Sequence, residues 1–227
     1  MKNLYTYIIL VLVALAPFRA AAADEPHDTV YFYDTWADIL YQDPVAALID
    51  PYIWASTPFQ IGIEIEDEAL NKAIKQSHIA ATMGDSTWLI NSEYLKREFH
   101  GDTKKLSDYM PFFFNEKVAY VAYVGEGDNM SLGAILFGDW VDYDYEDLAD
   151  YYYIDFANRK VIKITHNTLS ALLEDYHDLQ MRYEGMKDYK KREIIREFFI
   201  KYVERATMDP LRPYILDLEE DNSAEIN

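Results

Sequence analysis

The sequence predicts an α+β fold, with antiparallel β-hairpins or a meander packed against a C-terminal helical hairpin, and three observations carry that prediction. Phe59, Ile61, Ile63 and Ile65 alternate with Gln60, Gly62 and Glu64, the period-2 pattern of a half-buried strand. Short aromatic and β-branched runs flank turn-forming residues at three places further on, as hairpins do. The last third then changes to apolar residues at three- and four-residue spacing, as one face of a helix does. Strands first and helices last define the class.

In chain order, Thr29 to Tyr33 is a short strand ending at Asp34-Thr35, which caps a helix over Trp36 to Tyr41. Pro44, Pro51 and Pro58 punctuate an irregular stretch before the alternating strand. Asp67 to Gln76 reads as a short helix with Leu70, Ala73 and Ile74 inward. Gly84-Asp85 is the turn of a hairpin between Ile79 to Met83 and Thr87 to Ile90. Phe112 to Phe114 and Val118 to Val124 make a second around Asn115-Glu116, and Tyr151 to Phe156 and Val161 to Ile164 a third around Ala157-Asn158. Asn is expected in these turns because it tolerates positive φ.

Leu169, Leu172, Leu173, Tyr176, Leu179 and Tyr183 share one helical face, with Asn167 as cap and Gly185 as terminator. Asp188 would cap a second helix with Ile194, Ile195, Phe198, Phe199, Tyr202 and Val203 inward, closed by Asp209-Pro210. Asp217 to Asn227 reads as an acidic, disordered tail.

The first residues set the expected compartment. Lys2, the apolar stretch Leu4 to Phe18 and the Ala-x-Ala site at Ala21 to Ala23 are the three parts of a secretory signal peptide. The expected organisation is therefore a cleaved leader at 1–23, a single domain at 24–216 and the tail at 217–227. The mature chain is expected to be exported, periplasmic or secreted, with no transmembrane helix, since it holds no apolar run near ~20 residues.

With 227 residues, 50% of them hydrophobic and 27% charged, the chain can build a core. The absence of cysteine excludes disulfide scaffolds, thiolate metal sites and cysteine nucleophiles. Losing Lys2 and Arg19 leaves 19 bases against 40 acids, a net charge of −21 that makes nucleic acid a poor partner. The one basic concentration, Lys187, Lys190, Lys191, Arg192 and Arg196, is interrupted by Asp188 and Glu193 and reads as a solvated helix face.

Tyr151 to Phe156 with Asn158 to Val161, the stretch Tyr176 to Tyr189, and Gly84 to Ser92 together carry a resemblance. On those residues the chain resembles a family of exported Bacteroidales proteins with a domain of unknown function. The resemblance implies export and supplies no activity, cofactor or site residue.

The densest unusual segment runs from Gly138 through Trp140, Asp142, Tyr143, Asp144, Tyr145, Glu146 and Asp147 to Asp150 and the tyrosines at 151–153. If extended, it puts carboxylates on one face and rings on the other. It reads as a solvated acidic loop, as a strip that recognises a sugar or peptide, or as a calcium loop. The last lacks the Gly and Glu an EF-hand requires at its sixth and twelfth positions, where Asp147 and Tyr153 stand. Gly125 and Gly127 are followed by acids that would repel phosphate. Glu174 and His177 supply only half of a di-iron carboxylate pattern, and Ser86 and Ser170 lack a nucleophile elbow.

No catalytic residue, metal ligand or cofactor is assigned. The expected ligand-binding residues are Trp140, Asp142, Tyr143, Asp144 and Tyr145, in a non-catalytic module for an unknown glycan, peptide or protein. The alternative is a carboxylate-dependent hydrolase of glycans or cell-envelope polymers, which would enclose two acids in a cleft, one with a raised pKa.

Overall fold

The structure, a computed structural model, describes residues 29–49, 51–57, 60–83, 87–123 and 149–224. Its strands are β1 (Val30–Tyr33), β2 (Ala46–Leu48), β3 (Tyr52–Thr57), β4 (Gln60–Glu64), β5 (Ala80–Met83) and β6 (Thr87–Asn91). They continue with β7 (His100–Gly101), β8 (Tyr109–Phe114), β9 (Ala119–Tyr123), β10 (Asp150–Asp155) and β11 (Lys160–Lys163). The helices among the described residues are α1 (Trp36–Tyr41), α2 (Glu68–Ser77), α3 (Ser92–Glu98), α4 (His166–Leu172), α5 (His177–Glu184), α6 (Arg192–Met208) and α7 (Ile215–Ala224).

The strands form a mostly antiparallel sheet in the order β2-β1-β5-β6-β8-β9-β10-β11-β7, with β4 and then β3 branching from β8. This is the α+β architecture expected, and the hairpins β5/β6, β8/β9 and β10/β11 pair as the sequence predicts. Strand β8 divides its pairing. Tyr109 to Pro111 pair with β6 and Phe112 to Phe114 with β9. Pro111, which has no N–H to give a ladder, stands at the hand-over.

Both faces of the β9–β11 end are covered. Val121, Tyr152, Ile154 and Val161 pack with Trp36, Ile39, Tyr94 and Leu95 of α1 and α3 and with Ile215 of α7. Tyr120, Tyr151 and Tyr153 pack on the other side against Leu169, Leu179, Tyr183, Phe198, Phe199 and Tyr202 of the C-terminal helices. A third cluster joins Val30, Phe32, Ile61, Ile63, Ile74, Leu89 and Tyr109. The tyrosine triplet at 151–153 is thus an interior strand serving two cores and belongs to no surface strip, because alternate side chains of β10 enter opposite layers.

Several local expectations are corrected. Strand β4 is buried on both faces: Gln60 bonds Ser107 and Asp108 at 2.6 and 3.1 Å, and Gly62 lies under the Trp54 ring. A Cβ there would sit 2.0 Å from Trp54 Cε2, which is why glycine stands opposite tryptophan in the β3/β4 ladder. Of the three residues expected inward on α2, Ile74 is buried and anchors the helix, whereas Leu70 is 48% exposed and Ala73 is exposed as well. In the turns, positive φ falls on Arg159 rather than on either Asn. Asn115 acts through its side chain, accepting from the N–H groups of Lys117 and Val118, both at 2.8 Å.

The single helix expected over 169–183 is two. Thr165 and Thr168 form a capping box that starts α4 ahead of Asn167, and the chain turns at 173–176 before α5. Lys191, not Asp188, occupies the N-cap of α6. The apolar spacing survives the break, since Leu169, Leu173, Leu179 and Tyr183 are all buried. The acidic tail is helical through Ala224, because Ile215 is buried and Leu216 and Leu218 pack on the core below it.

Arg212 pins the approach to α7. It donates to Lys117 O at 3.2 Å, Tyr202 OH at 3.1 Å and Tyr153 OH, and lies over both phenol rings. Nearby Tyr176 donates to Asp209 at 3.0 Å; burial, then that hydrogen bond, push the phenol up to about 12. The Leu211 N–H and the Tyr176 hydroxyl hold the Asp209 carboxyl below its usual range.

Candidate functional site

The expected ligand-binding residues Trp140, Asp142, Tyr143, Asp144 and Tyr145 lie outside the described residues, as does Glu146. The chain re-enters the described structure at Ala149, and there it borders a groove of about 290 Å³. Three elements build this groove. The start of β10 supplies Asp150 and Tyr151, the end of β11 with the first residues of α4 supplies Lys163, Thr165 and His166, and the entry to α6 supplies Lys190, Arg192 and Arg196.

Local structure fixes each side chain. The ladder places Lys163 opposite Tyr152, and the Ile164 N–H donates to Tyr151 O at 2.8 Å, so Asp150 and Lys163 share one end of the hairpin. Asp150 Oδ1 accepts from Arg192 at 2.7 Å while Oδ2 pairs with Lys163. The Arg196 guanidinium lies 5.4 Å over the Tyr151 ring, and the Lys190 ammonium 5.6 Å over Tyr189. His166 Nδ1 is 3.0 Å from the Tyr183 hydroxyl, and its ring meets Tyr189 edge-on at 4.8 Å.

Three of the basic residues read as a solvated helix face, Lys190, Arg192 and Arg196, therefore meet Lys163 and His166 in a concavity, while Lys187 and Lys191 remain exposed outside it. Sequence reasoning missed this because Lys163 and His166 stand far from α6 along the chain and reach it only through packing of α4 on α6. The one available signal was the cluster Lys190 to Arg196 itself.

A second groove, of about 730 Å³ between α5 and α6, carries both signs of charge in Arg182, Lys201, Arg205, Glu204 and Asp209. Among the described residues no group of three or more His, Asp or Glu could hold a metal ion. Glu174 lies in the turn after α4 and His177 opens α5, so their expected i, i+3 relation on one helix does not exist. His78 is buried against the Phe32 ring and pairs with Asp34, while His100 is exposed on β7. Glu219, on α7, has a raised pKa: burial is the main cause, Glu98 adds to it, and Arg159 at 3.5 Å opposes it. It lines neither groove.

Fold and groove together define an α+β domain with a cation-lined concavity at one end of its sheet. The model of the family of unknown function DUF6563 matches residues 56–209, and the chain belongs to that family. No curated protein and no solved structure matches it. The family span includes the groove but leaves out β1, α1 and α7. Among the described residues no helix is long and apolar enough to cross a membrane.

Proposed function

We infer that the protein is an exported, non-catalytic module that captures a glycan, peptide or protein ligand. Its site would comprise the groove beside Asp150 and the acidic and aromatic residues Trp140, Asp142, Tyr143, Asp144 and Tyr145 that precede it in sequence. The observation that carries this reading is the state of Asp150. Among the described residues it is the one carboxylate lining the groove, and its two oxygens are engaged by Arg192 and Lys163. Hydrolysis needs an acid free to hand over a proton beside a second carboxylate, and this arrangement suits recognition better. The leader-like residues 1–23 support export.

The hydrolase reading keeps one supporting observation, the raised pKa of Glu219 with Glu98 nearby. One experiment separates the two. Mature protein is incubated with a panel of cell-envelope glycans and peptides, and both retention and product mass are followed. Retention without turnover is expected, abolished when Trp140, Tyr143 and Tyr145 are changed together to Ala. Turnover that disappears in Glu219→Gln would replace this reading with the hydrolase. Intact mass of exported material should begin at Asp24; a full leader retained with a membrane fraction would remove the export part.

A further inference from the structure

We propose that two copies of this chain pair through the outer edge of β2, strand against antiparallel strand about a two-fold axis. This goes beyond the module reading and does not depend on it. Among the described residues the sheet ends on one side at β2, which pairs with β1 and with no strand further out. An edge in that state offers its N–H and C=O groups as a template for another strand. The opposite end of the sheet is closed off: the two residues of β7 cover β11, and Asp102 accepts from the Lys163 N–H at 2.9 Å. Among the described residues nothing comparable guards β2. Ala46 and Ala47 are both exposed although they face opposite sides of the sheet, and Val45 and Ile49 at its two ends are 51% and 80% exposed.

The side chains and charges of this edge select a second copy as its partner. Val45, Ala47 and Ile49 alternate along one face, and Tyr31, opposite Ala47 on β1, continues that face. With Ala47 on the axis, Val45 of one copy comes opposite Ile49 of the other and Ala47 opposite Ala47, so branched side chains meet across the join and small meets small. Residues 44–49 hold no charge. Asp43 stands four residues from the axis on each copy, which sets the two carboxylates about 27 Å apart along the ladder, well beyond a screening length of about 8 Å. The join therefore avoids the like-charge contact that a chain carrying −19 would meet over most of its surface. A two-fold axis supplies this complementarity without any further sequence. One short strand and four side chains per copy make an interface at the small end of the specific range, about 1,200 Å² or below, so association is weak and concentration-dependent.

Sedimentation of the mature chain from about 10 μM to 1 mM, at low and at high salt, tests this. A reversible monomer–dimer equilibrium is expected, and it should tighten with salt as the repulsion between two acidic bodies is screened. Ala47→Lys and Ala47→Glu should each weaken it about tenfold or more, because like charges then oppose each other across the axis, and Ala47→Ser should preserve it. Ala47→Lys lowers the net negative charge, so weakening by that change cannot come from general repulsion. An equal mixture of the Ala47→Lys and Ala47→Glu chains should associate again, since opposite charges now face each other at the axis. A strand merely distorted by either substitution could not be rescued in this way. A chain that stays monomeric over the whole range, association that Ala47→Lys leaves intact, or a mixture that fails to associate overturns the proposal.

Discussion

Replacing Arg212 with Met keeps most of the aliphatic stem and removes the guanidinium that ties the approach to α7 to the rest of the fold. Three hydrogen bonds are lost, to Lys117 O, Tyr202 OH and Tyr153 OH. Each bond to a charged donor contributes about 1.5–3 kcal/mol. The three share one group and are not additive, and removing a half-buried charge recovers part of its desolvation cost. A net loss of about 3 kcal/mol follows, a large share of the ~5–15 kcal/mol available to a domain. At this size that lowers Tm by about 6–12 °C. Urea denaturation and calorimetry read it directly, and a double-mutant cycle with Tyr153→Phe isolates the pairwise part. Coupling above about 0.5 kcal/mol is expected for groups in direct contact. A loss under about 1 kcal/mol, or strict additivity with Tyr153→Phe, would refute the view of Arg212 as a latch.

Phe198, 2% exposed between Tyr183 and Lys201, should not tolerate Asp: an unpaired buried carboxylate costs several kcal/mol, and a cooperative melt should vanish. Lys191→Asp, at the exposed and uncapped N-cap of α6, should leave stability unchanged or raise it by about 1 kcal/mol, since Asp there can accept from first-turn N–H groups, and a loss as large as that from Phe198→Asp would mean the helix is packed on the wrong face. A fragment limited to the family span 56–209 should show no cooperative melt, because it loses Val30, Phe32, Trp36, Ile39 and Ile215. At about 1.5–3 kcal/mol each their burial approaches the whole stability, so a fragment that melts cooperatively would contradict it. Glu219 gives a pH signature. Its folded pKa is raised, so the folded state holds the proton more tightly, and stability falls as pH rises from the ordinary glutamate value through the raised one. Glu219→Gln should flatten that slope and leave the protein at least as stable at neutral pH; an unchanged slope assigns the effect elsewhere.

Period was the legible part of the sequence. Alternation located β4, and three-and-four spacing identified the inward residues of α4 to α6 even where the helix was drawn as one piece. Caps were less secure, because Asn167 and Asp188 have the right chemistry while Thr165 and Lys191 hold the positions. Burial of both faces escaped at Gln60 and Gly62, since a polar amide and a missing side chain look like solvent positions until Ser107, Asp108 and Trp54 arrive from elsewhere. Tyr151 to Tyr153 were legible as a hairpin strand, but they were also counted with the acidic and aromatic segment before them, because two opposing cores were not foreseeable from one strand. The groove was illegible because Lys163, His166 and Lys190 become neighbours only after β10 and β11 pair and α6 packs beside them.

The strand order has a kinetic consequence. Strand β1 is the first described element to be synthesised, yet it ends between β2 and β5, and β5 follows only after β3, β4 and α2 have been made. The two residues of β7 likewise wait for β11 before their parallel pairing can form. Such late closures carry a loop-entropy cost before they gain contacts, and they slow folding. A nascent chain of this topology therefore remains open for much of its synthesis, with the edge of β1 exposed. That delay lengthens the interval in which another protein can engage the chain before the sheet commits.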